Sequence, residues 1–330
     1  MSGLFDGSRV LVTGGTGLIG RQLVQQLVDG GVDVTIASLD HPSRAHPAAE
    51  FRRVNLMHLD ACLQLCEGMD FVFHLAGVKG SPAAAGAKPA SFFVPMLLMN
   101  TNMMEAAYRA RVKRFLYTST VGVYAPAEVL REDALWQAPP SANDRFAGWA
   151  KRMGELQAEA YQIEHGWQAV SIVRPANVYG PDDNFDPDTA MVIPSLIRRA
   201  VEGENPLVVW GDGSAVRDFI HAADVARGML LVMEQAVQEP VNLGSGTGIA
   251  IRDLVNLIVC LLHPAPRVRW DTARPAGDAK RVLDVSRARA LGFSPSVSIE
   301  EGIREVMAWY RVHGEEASMR YNVFREAQRR

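Results

Sequence analysis

Three glycines spaced Gly14-x-x-Gly17-x-x-Gly20 are the residues near the start of this 330-residue chain best suited to chemistry. They follow the β-branched run Arg9-Val-Leu-Val-Thr13 and precede the amphipathic stretch Arg21–Val28. A buried strand delivers the backbone, and glycines allow a tight turn and close phosphate approach. The helix start then offers unpaired N–H groups. A glycine triplet alone also suits an ordinary turn; the strand before it and the helix after it point to a dinucleotide pyrophosphate. Three later strand ends carry further candidates. Phe73-His-Leu75-Ala76-Gly77-Val-Lys79 closes on small residues, where a cofactor can lie against bare backbone. Thr118-Ser119-Thr120 ends the next apolar run with hydroxyls, and Arg174-Pro175-Ala-Asn177 ends a third. Arg217 lies beside the expected crevice or, with Asp218, forms a surface ion pair.

The elements that must position these groups alternate along the first half. Val10–Thr13, Asp33–Ala37, Phe71–Leu75, Phe115–Ser119 and Val170–Arg174 read as strands, and Arg21–Val28, Cys62–Cys66, Phe92–Arg111 and Gly148–His165 carry helical spacing. The apolar stripes of the two long helices suit core packing. This alternation predicts an α/β fold: a Rossmann-like, doubly wound parallel sheet with its crevice at the strand carboxyl ends. After Asn177 the rhythm breaks into Pro- and Gly-rich pieces such as Trp210-Gly-Asp-Gly and Arg274-Pro-Ala-Gly-Asp278. The expected division is a dinucleotide-binding domain over 1–176, joined again by about 216–243, and a smaller C-terminal substrate-binding lobe over 177–330.

Bulk composition excludes several function classes. Net charge is −3, with 48% hydrophobic and 22% charged residues. No electrostatic footprint for nucleic acid or an anionic membrane surface is present. No apolar run is long enough to span a bilayer, and the first strand follows Met1 too closely for a secretory signal, so a cytoplasmic protein is expected. Cys62, Cys66 and Cys260 are too few for a disulfide framework, and the histidines lack metal-ligand spacing, so no metal is expected.

Together these motifs resemble the extended short-chain dehydrogenase/reductases of the NAD-dependent epimerase/dehydratase family, which act on nucleotide sugars. The likeness runs from Val10 to about Trp309. Tyr179-Gly-Pro-Asp-Asp-Asn-Phe-Asp-Pro, Val192-Ile-Pro-Ser-Leu-Ile-Arg-Arg and Val209-Trp-Gly-Asp-Gly are most similar to its GDP-fucose synthase branch. The resemblance implies that Gly14, Gly17, Leu18, Ile19 and Gly20 face the cofactor pyrophosphate. It places Asn55 and Leu56 beside the adenine, and Leu75, Ala76, Gly77, Lys79, Thr118, Lys151 and Pro175 along the cofactor. Asn100 stands where the family holds the catalytic lysine or the cofactor region. Asn177, Val192, Trp210 and Arg217 would meet the nucleotide sugar, with Arg274 and Asp278 closing over it and Arg217 acting as a phosphate fork. The long helices of family members pair across a two-fold axis, which implies a homodimer.

The chain departs from the family at its chemical centre. Family chemistry rests on Tyr-x-x-x-Lys, in which the lysine lowers the phenol's pKa and a Ser or Thr shares the proton path. Here Lys151 is present, with Thr120 and Ser119 at the hydroxyl positions, but Ala147 stands four residues before the lysine. Either Ala147 replaces a tyrosine so that substrate binds without turnover, or Thr120, Ser119, a water or the substrate carries the proton. Val121 and Gly122 follow Thr120, which disfavours a dehydratase, and Met191 and the same two residues leave C3/C5 acid–base chemistry without its groups. What remains is reduction of a 4-keto sugar or epimerisation at C4. A non-catalytic dinucleotide-binding sensor or scaffold is the alternative. The cofactor is NAD or NADP: Ser38 in place of an aspartate, with Arg44 near, leans to NADP, whereas Asp40 could reach a ribose diol.

Overall fold

The computed structural model describes residues 3–78, 80–274, 277–314 and 321. Its centre is a sheet built from β1 (Arg9–Thr13), β2 (Asp33–Ser38), β3 (Glu50–Arg53), β4 (Phe71–His74), β5 (Arg114–Thr118) and β6 (Val170–Pro175). A seventh member comes from much later in the chain, after β7 (Asn177–Tyr179), β8 (Leu207–Trp210) and β9 (Val216–His221). This is β10 (Val241–Leu243), which pairs with β6. Strand order is β3-β2-β1-β4-β5-β6-β10, all parallel. The order reverses between β1 and β4, and that switch point opens a crevice at the carboxyl ends of the strands.

Both faces of the sheet are covered at its centre, so β1, β4, β5 and β6 are buried almost throughout, whereas the edge strand β3 (Glu50-Phe-Arg-Arg) is charged and only half-buried. On one face, Val10 and Val12 pack against α1 (Leu18–Asp29) through Leu23, Val24 and Leu27. On the other, Leu11 packs with Cys62 and Cys66 of α2 (Leu59–Cys66) and with Met103 and Met104 of a long helix. That helix, α4 (Pro89–Arg109), follows the short α3 (Pro82–Ala87) and lies beside α5 (Arg145–His165). Both long helices begin three residues earlier than their apolar spacing shows. Pro89 suits the first turn of α4, where no backbone N–H is needed, and Arg145 follows a short 3₁₀ turn at Ala142–Asp144.

The second half builds a separate core around α6 (Val192–Val201), with Ile193, Leu196 and Ile197 buried against Leu254, Val255 and Ile258. Those residues belong to α8 (Ile251–Cys260), and Ile303, Val306 and Met307 of α10 (Ile299–His313) complete the cluster. Between β9 and β10, α7 (Ala222–Glu234) packs back on α1 and the main sheet. Small sheets finish this half. In one, β7, β11 (Gly248–Ala250) and β13 (Lys280–Arg281) pair with β9; in the other, β12 (Val268–Asp271) pairs with β8. A five-residue helix, α9 (Ser286–Ala290), packs against β10. None of the described helices is long and apolar enough to cross a membrane.

Candidate active site

The glycine turn is fixed by close packing at two positions. Gly14 adopts φ +70°, and a Cβ there would fall 2.9 Å from the Ala76 nitrogen. A Cβ on Gly20 would lie 2.1 Å from the Gly14 carbonyl oxygen, so only glycine lets α1 start this close to the turn. Leu18, Ile19 and Gly20, the first turn of α1, line a cleft of about 490 Å³. The first N–H groups of a helix lack intrahelical acceptors and carry its positive dipole end, so this wall suits an anion.

Along the same cleft, the end of β2 carries a polar cluster. Thr16 Oγ1 lies 2.7 Å from Ser38 Oγ and donates to Asp40 Oδ2 at 2.7 Å. The backbone N–H of Tyr321 donates to the other oxygen of Asp40 at 2.8 Å. Thr16, Ser38, Asp40, Asn55 and Leu56 all line the cleft; Arg44 does not. Its guanidinium is held by Asp182 at 3.4 Å, which also takes Arg21 at 3.1 Å, and its Nε lies 4.0 Å from Asp40.

Behind the cleft runs a buried polar chain that ends on Lys151. The Ala76 N–H donates to Thr13 Oγ1 at 3.2 Å, and Thr13 Oγ1 lies 2.8 Å from His74 Nδ1. His74 Nε2 lies 3.1 Å from Asn100 Oδ1, and the same oxygen accepts from Lys151 Nζ at 3.5 Å. Lys151 also donates to the Thr118 carbonyl at 2.7 Å and sits 5.0 Å over the Tyr117 ring. Burial and the Lys151 charge push the His74 pKa down to about 3, so the imidazole is neutral. Neutrality assigns its one proton to Nε2, facing Asn100, and leaves Nδ1 to accept from Thr13. Burial also lowers the Lys151 pKa to about 8, with the Glu155 carboxylate opposing the shift.

From the second half of the chain, Asn177, Val192 and Arg281 reach the cleft. Arg281 pairs with Asp144 and Asp278, and it stands directly opposite Arg217 in the β9–β13 register. Asn177 Nδ2 donates to the Asp218 carbonyl at 2.8 Å.

A sequence profile described as the NAD dependent epimerase/dehydratase family matches residues 10–244. The chain belongs to this family. GDP-L-fucose synthase 1 of Arabidopsis thaliana is 32% identical over 92% of this chain and 93% of its own length. A dTDP-4-dehydro-6-deoxy-D-allose reductase from a Streptomyces species is 30% identical over 93% of this chain and 97% of its own. The UDP-glucose 4-epimerase of Thermus thermophilus, solved in complex with NAD, superposes with a TM-score of 0.79 at 27% identity. That match covers 92% of this chain and 99% of the epimerase.

Against the residues expected of this family, the structure draws a sharper map. Gly14, Gly17, Leu75, Ala76, Gly77, Thr118, Ser119, Thr120, Ala147 and Pro175 all line the cleft with Lys151. Lys79 lies outside the described residues. Ser119 lines the cleft, but its hydroxyl proton is donated to Glu155 Oε1 at 2.5 Å, beside Arg174. Asn100 stands outside the wall, behind Lys151, whose amine donates to its Oδ1 at 3.5 Å. Arg44, Trp210, Arg217, Arg274 and Asp278 are likewise absent from the wall. The Asp278 carboxylate accepts from Ser141 and Asn143 at 2.8 and 2.6 Å, and Arg274 stacks its cation over Trp210 at 5.2 Å. The surface pair Arg217–Asp218 does not form. Asp218 is buried, with its carboxylate accepting from the backbone N–H groups of Ser245, Gly246 and Leu283.

Several wall residues escaped the sequence reading. Thr16 was hidden among the glycines, and Arg281 sits in a two-residue strand with no pattern of its own. Phe92, Pro95, Met96 and Met99 of α4 also line the cleft. Their helical spacing fitted plain core packing, and Phe92 and Met96 do pack with Ala150 beside Ala147.

The residues present fit a dinucleotide. The glycine cradle has no room for a Cβ, and Thr118 Oγ1 is buried on the wall with no hydrogen-bond partner among the described residues. Such an orphaned hydroxyl calls for a ligand atom. Among the described residues, no cluster of His, Cys, Asp or Glu is arranged to hold a metal ion.

Proposed function

We propose that this chain transfers hydride at C4 of a nucleotide sugar, as a 4-keto reductase or C4 epimerase, with a GDP-sugar as its substrate. The observation that carries this reading is one continuous cleft, shared by the glycine turn, Lys151 and Thr120 with Val192 and Arg281 of the second lobe. The nicotinamide, when bound, supplies or accepts the hydride. The remaining work falls to protein groups. The first turn of α1 holds the pyrophosphate, and Lys151 holds the ribose and faces the reacting oxygen. Arg281, on the cleft wall, offers a guanidinium fork to the sugar diphosphate. The GDP assignment rests on the substrate-lobe segments and on the Arabidopsis relative.

Thermal shift with NAD, NADP and GDP-, UDP- and dTDP-sugars tests this reading. We expect cofactor and GDP-sugar to stabilise the protein additively, as ligands that bind only the folded state must. Stabilisation by a cofactor and by no nucleotide sugar would instead favour a sensor or scaffold.

For the cofactor, the polar cluster favours NAD over NADP. Asp40 presents a carboxylate on the cleft wall, steadied by Thr16, while Arg44 is engaged by Asp182 and off that wall. A carboxylate accepts from a ribose diol and repels a 2′-phosphate. Asp40→Ala is expected to weaken NAD binding about 10-fold or more, the scale of a hydrogen bond to a charged group, and to improve NADP binding. Equal losses for both cofactors, measured by fluorescence titration, would contradict the assignment.

We further propose a homodimer across α4 and α5. Val94 and Leu98 are exposed one turn apart on α4, and Leu156 and Ile163 are exposed on α5. Paired apolar residues on neighbouring helices suit a self-complementary face. Leu98→Glu together with Leu156→Arg is expected to give a folded monomer in sedimentation equilibrium. A wild-type protein that sediments as a monomer would remove this proposal.

A further inference from the structure

We propose that Lys151 is itself the proton donor, passing a proton from Nζ through one water seated over Ala147 to the sugar O4. The inference rests on the C4 hydride-transfer reading above. Ala147 and Lys151 lie one turn apart on α5, hence on the same face, and both line the cleft. A tyrosine at 147 would stand between lysine and substrate, whereas a methyl group leaves that path to solvent.

Thr118 Oγ1 has no partner among the described residues but is a neutral alcohol, and several other hydroxyls and acids near this end of the cleft are engaged elsewhere. Ser119 donates to Glu155, and the Tyr179 hydroxyl points to the Ser298 carbonyl at 3.5 Å beside Gly302. Asp144 pairs with Arg281, and Asp186 accepts from Thr189 Oγ1 at 3.1 Å. Thr120 Oγ1 accepts the Gly122 N–H at 3.2 Å and faces the cleft, yet a neutral alcohol gives up a proton only if another acid restores it. Lys151 is that acid. An ammonium has three N–H donors, and the Thr118 carbonyl and Asn100 use only two of them.

Burial favours release of a proton from Nζ, and the one carboxylate opposing it, Glu155, does so without touching the amine. His74 of β4 is neutral, Tyr117 of β5 presents its ring, and the Glu155 carboxylate is held by Ser119 and Arg174. No carboxylate touches the amine, and burial brings its pKa to about 8. The step balances simply. As C4 of the keto sugar receives the hydride with its electron pair, the carbonyl π pair moves to O4. That oxygen takes a proton from the water, the water takes one from Nζ, and the neutral amine recovers a proton from solvent.

The test joins a titration to single-turnover kinetics. Nitrogen-15 NMR of the lysine amines in the cofactor-free protein, assigned with Lys151→Met, should show Nζ titrating near 8. With a GDP-4-keto-6-deoxyhexose as probe, hydride transfer should be full below that pH and fall about ten-fold per unit above it. Lys151→Arg keeps a cation but cannot release its proton, so it should lose about 10²-fold or more in rate while NAD binding changes only a few-fold. A rate retained in Lys151→Arg, or lost in Asp144→Asn while Lys151→Arg is active, would overturn the proposal. A wild-type chain that binds cofactor and nucleotide sugar yet transfers no hydride at any pH would defeat the parent reading, and this proposal with it. Absence of all nucleotide-sugar binding would likewise defeat the parent reading.

Discussion

Replacing Ala147 with tyrosine is expected to raise the single-turnover rate of hydride transfer by about 10²-fold, the lower end of what a positioned general acid supplies. The lower end applies because Lys151 already delivers a proton by the longer, water-relayed route. Position 147 lies in the first turn of α5, four residues before Lys151, so a phenol there would share the cleft with the amine. The lysine charge would stabilise the phenolate and make the phenol the better donor. Crowding is the rival cause of any change, because Phe92 and Met96 pack beside Ala147. Ala147→Phe has the same bulk without the hydroxyl and is expected to show no gain. Equal rates in the tyrosine and phenylalanine variants would show that the proton does not pass through this position.

Breaking the Glu155–Arg174 pair is expected to cost about 3–5 kcal/mol of stability, the scale for one partner removed from a buried ion pair. Their side chains are only 4% and 2% exposed, and Nη2 of Arg174 meets Glu155 Oε2 at 2.6 Å. Arg174 also donates to the Tyr124 hydroxyl at 2.8 Å and the Glu132 carbonyl at 2.9 Å, while Glu155 accepts from Ser119. One pair thus ties α5, one turn beyond Lys151, to the ends of β5 and β6. Glu155→Ala should lower the melting temperature by roughly 10 °C, using a few degrees per kcal/mol for a chain of this size. Glu155→Leu combined with Arg174→Met should recover part of the loss, since no charge is then left unpaired. A melting temperature within a degree of wild type in Glu155→Ala would show that the pair contributes nothing.

Five strands of the parallel sheet are legible as apolar runs between helical ones, whereas the charged edge strand β3 (Glu50-Phe-Arg-Arg) and the three-residue β10 carry no such run. The glycine turn was legible for a different reason: steric exclusion at Gly14 and Gly20 leaves no other residue type. Side-chain roles were less accessible. Ser119 and Thr120 look alike as neighbours just past β5, yet the Ser119 hydroxyl donates to Glu155 while Thr120 Oγ1 accepts the Gly122 N–H. Arg281 acquires its place only through pairing with β9, a partner more than sixty residues away in the chain. The apolar wall of α4 has the periodicity of any packed helix, and only its neighbours show that some of it faces a ligand. Asp182, 138 residues further along the chain, lies 3.4 Å from the Arg44 guanidinium, a pairing that no local pattern shows.

The most direct test of the central claim is the fate of the hydride. NADH or NADPH carrying two deuterium atoms at C4 of the nicotinamide should be mixed with this protein and a GDP-4-keto-6-deoxyhexose. The nucleotide product is then read by NMR. The cleft chemistry described above predicts one deuterium, carried on C4 of the sugar. Bound nucleotide sugar with no deuterium at C4, under conditions where the deuterated cofactor is also bound, would contradict it.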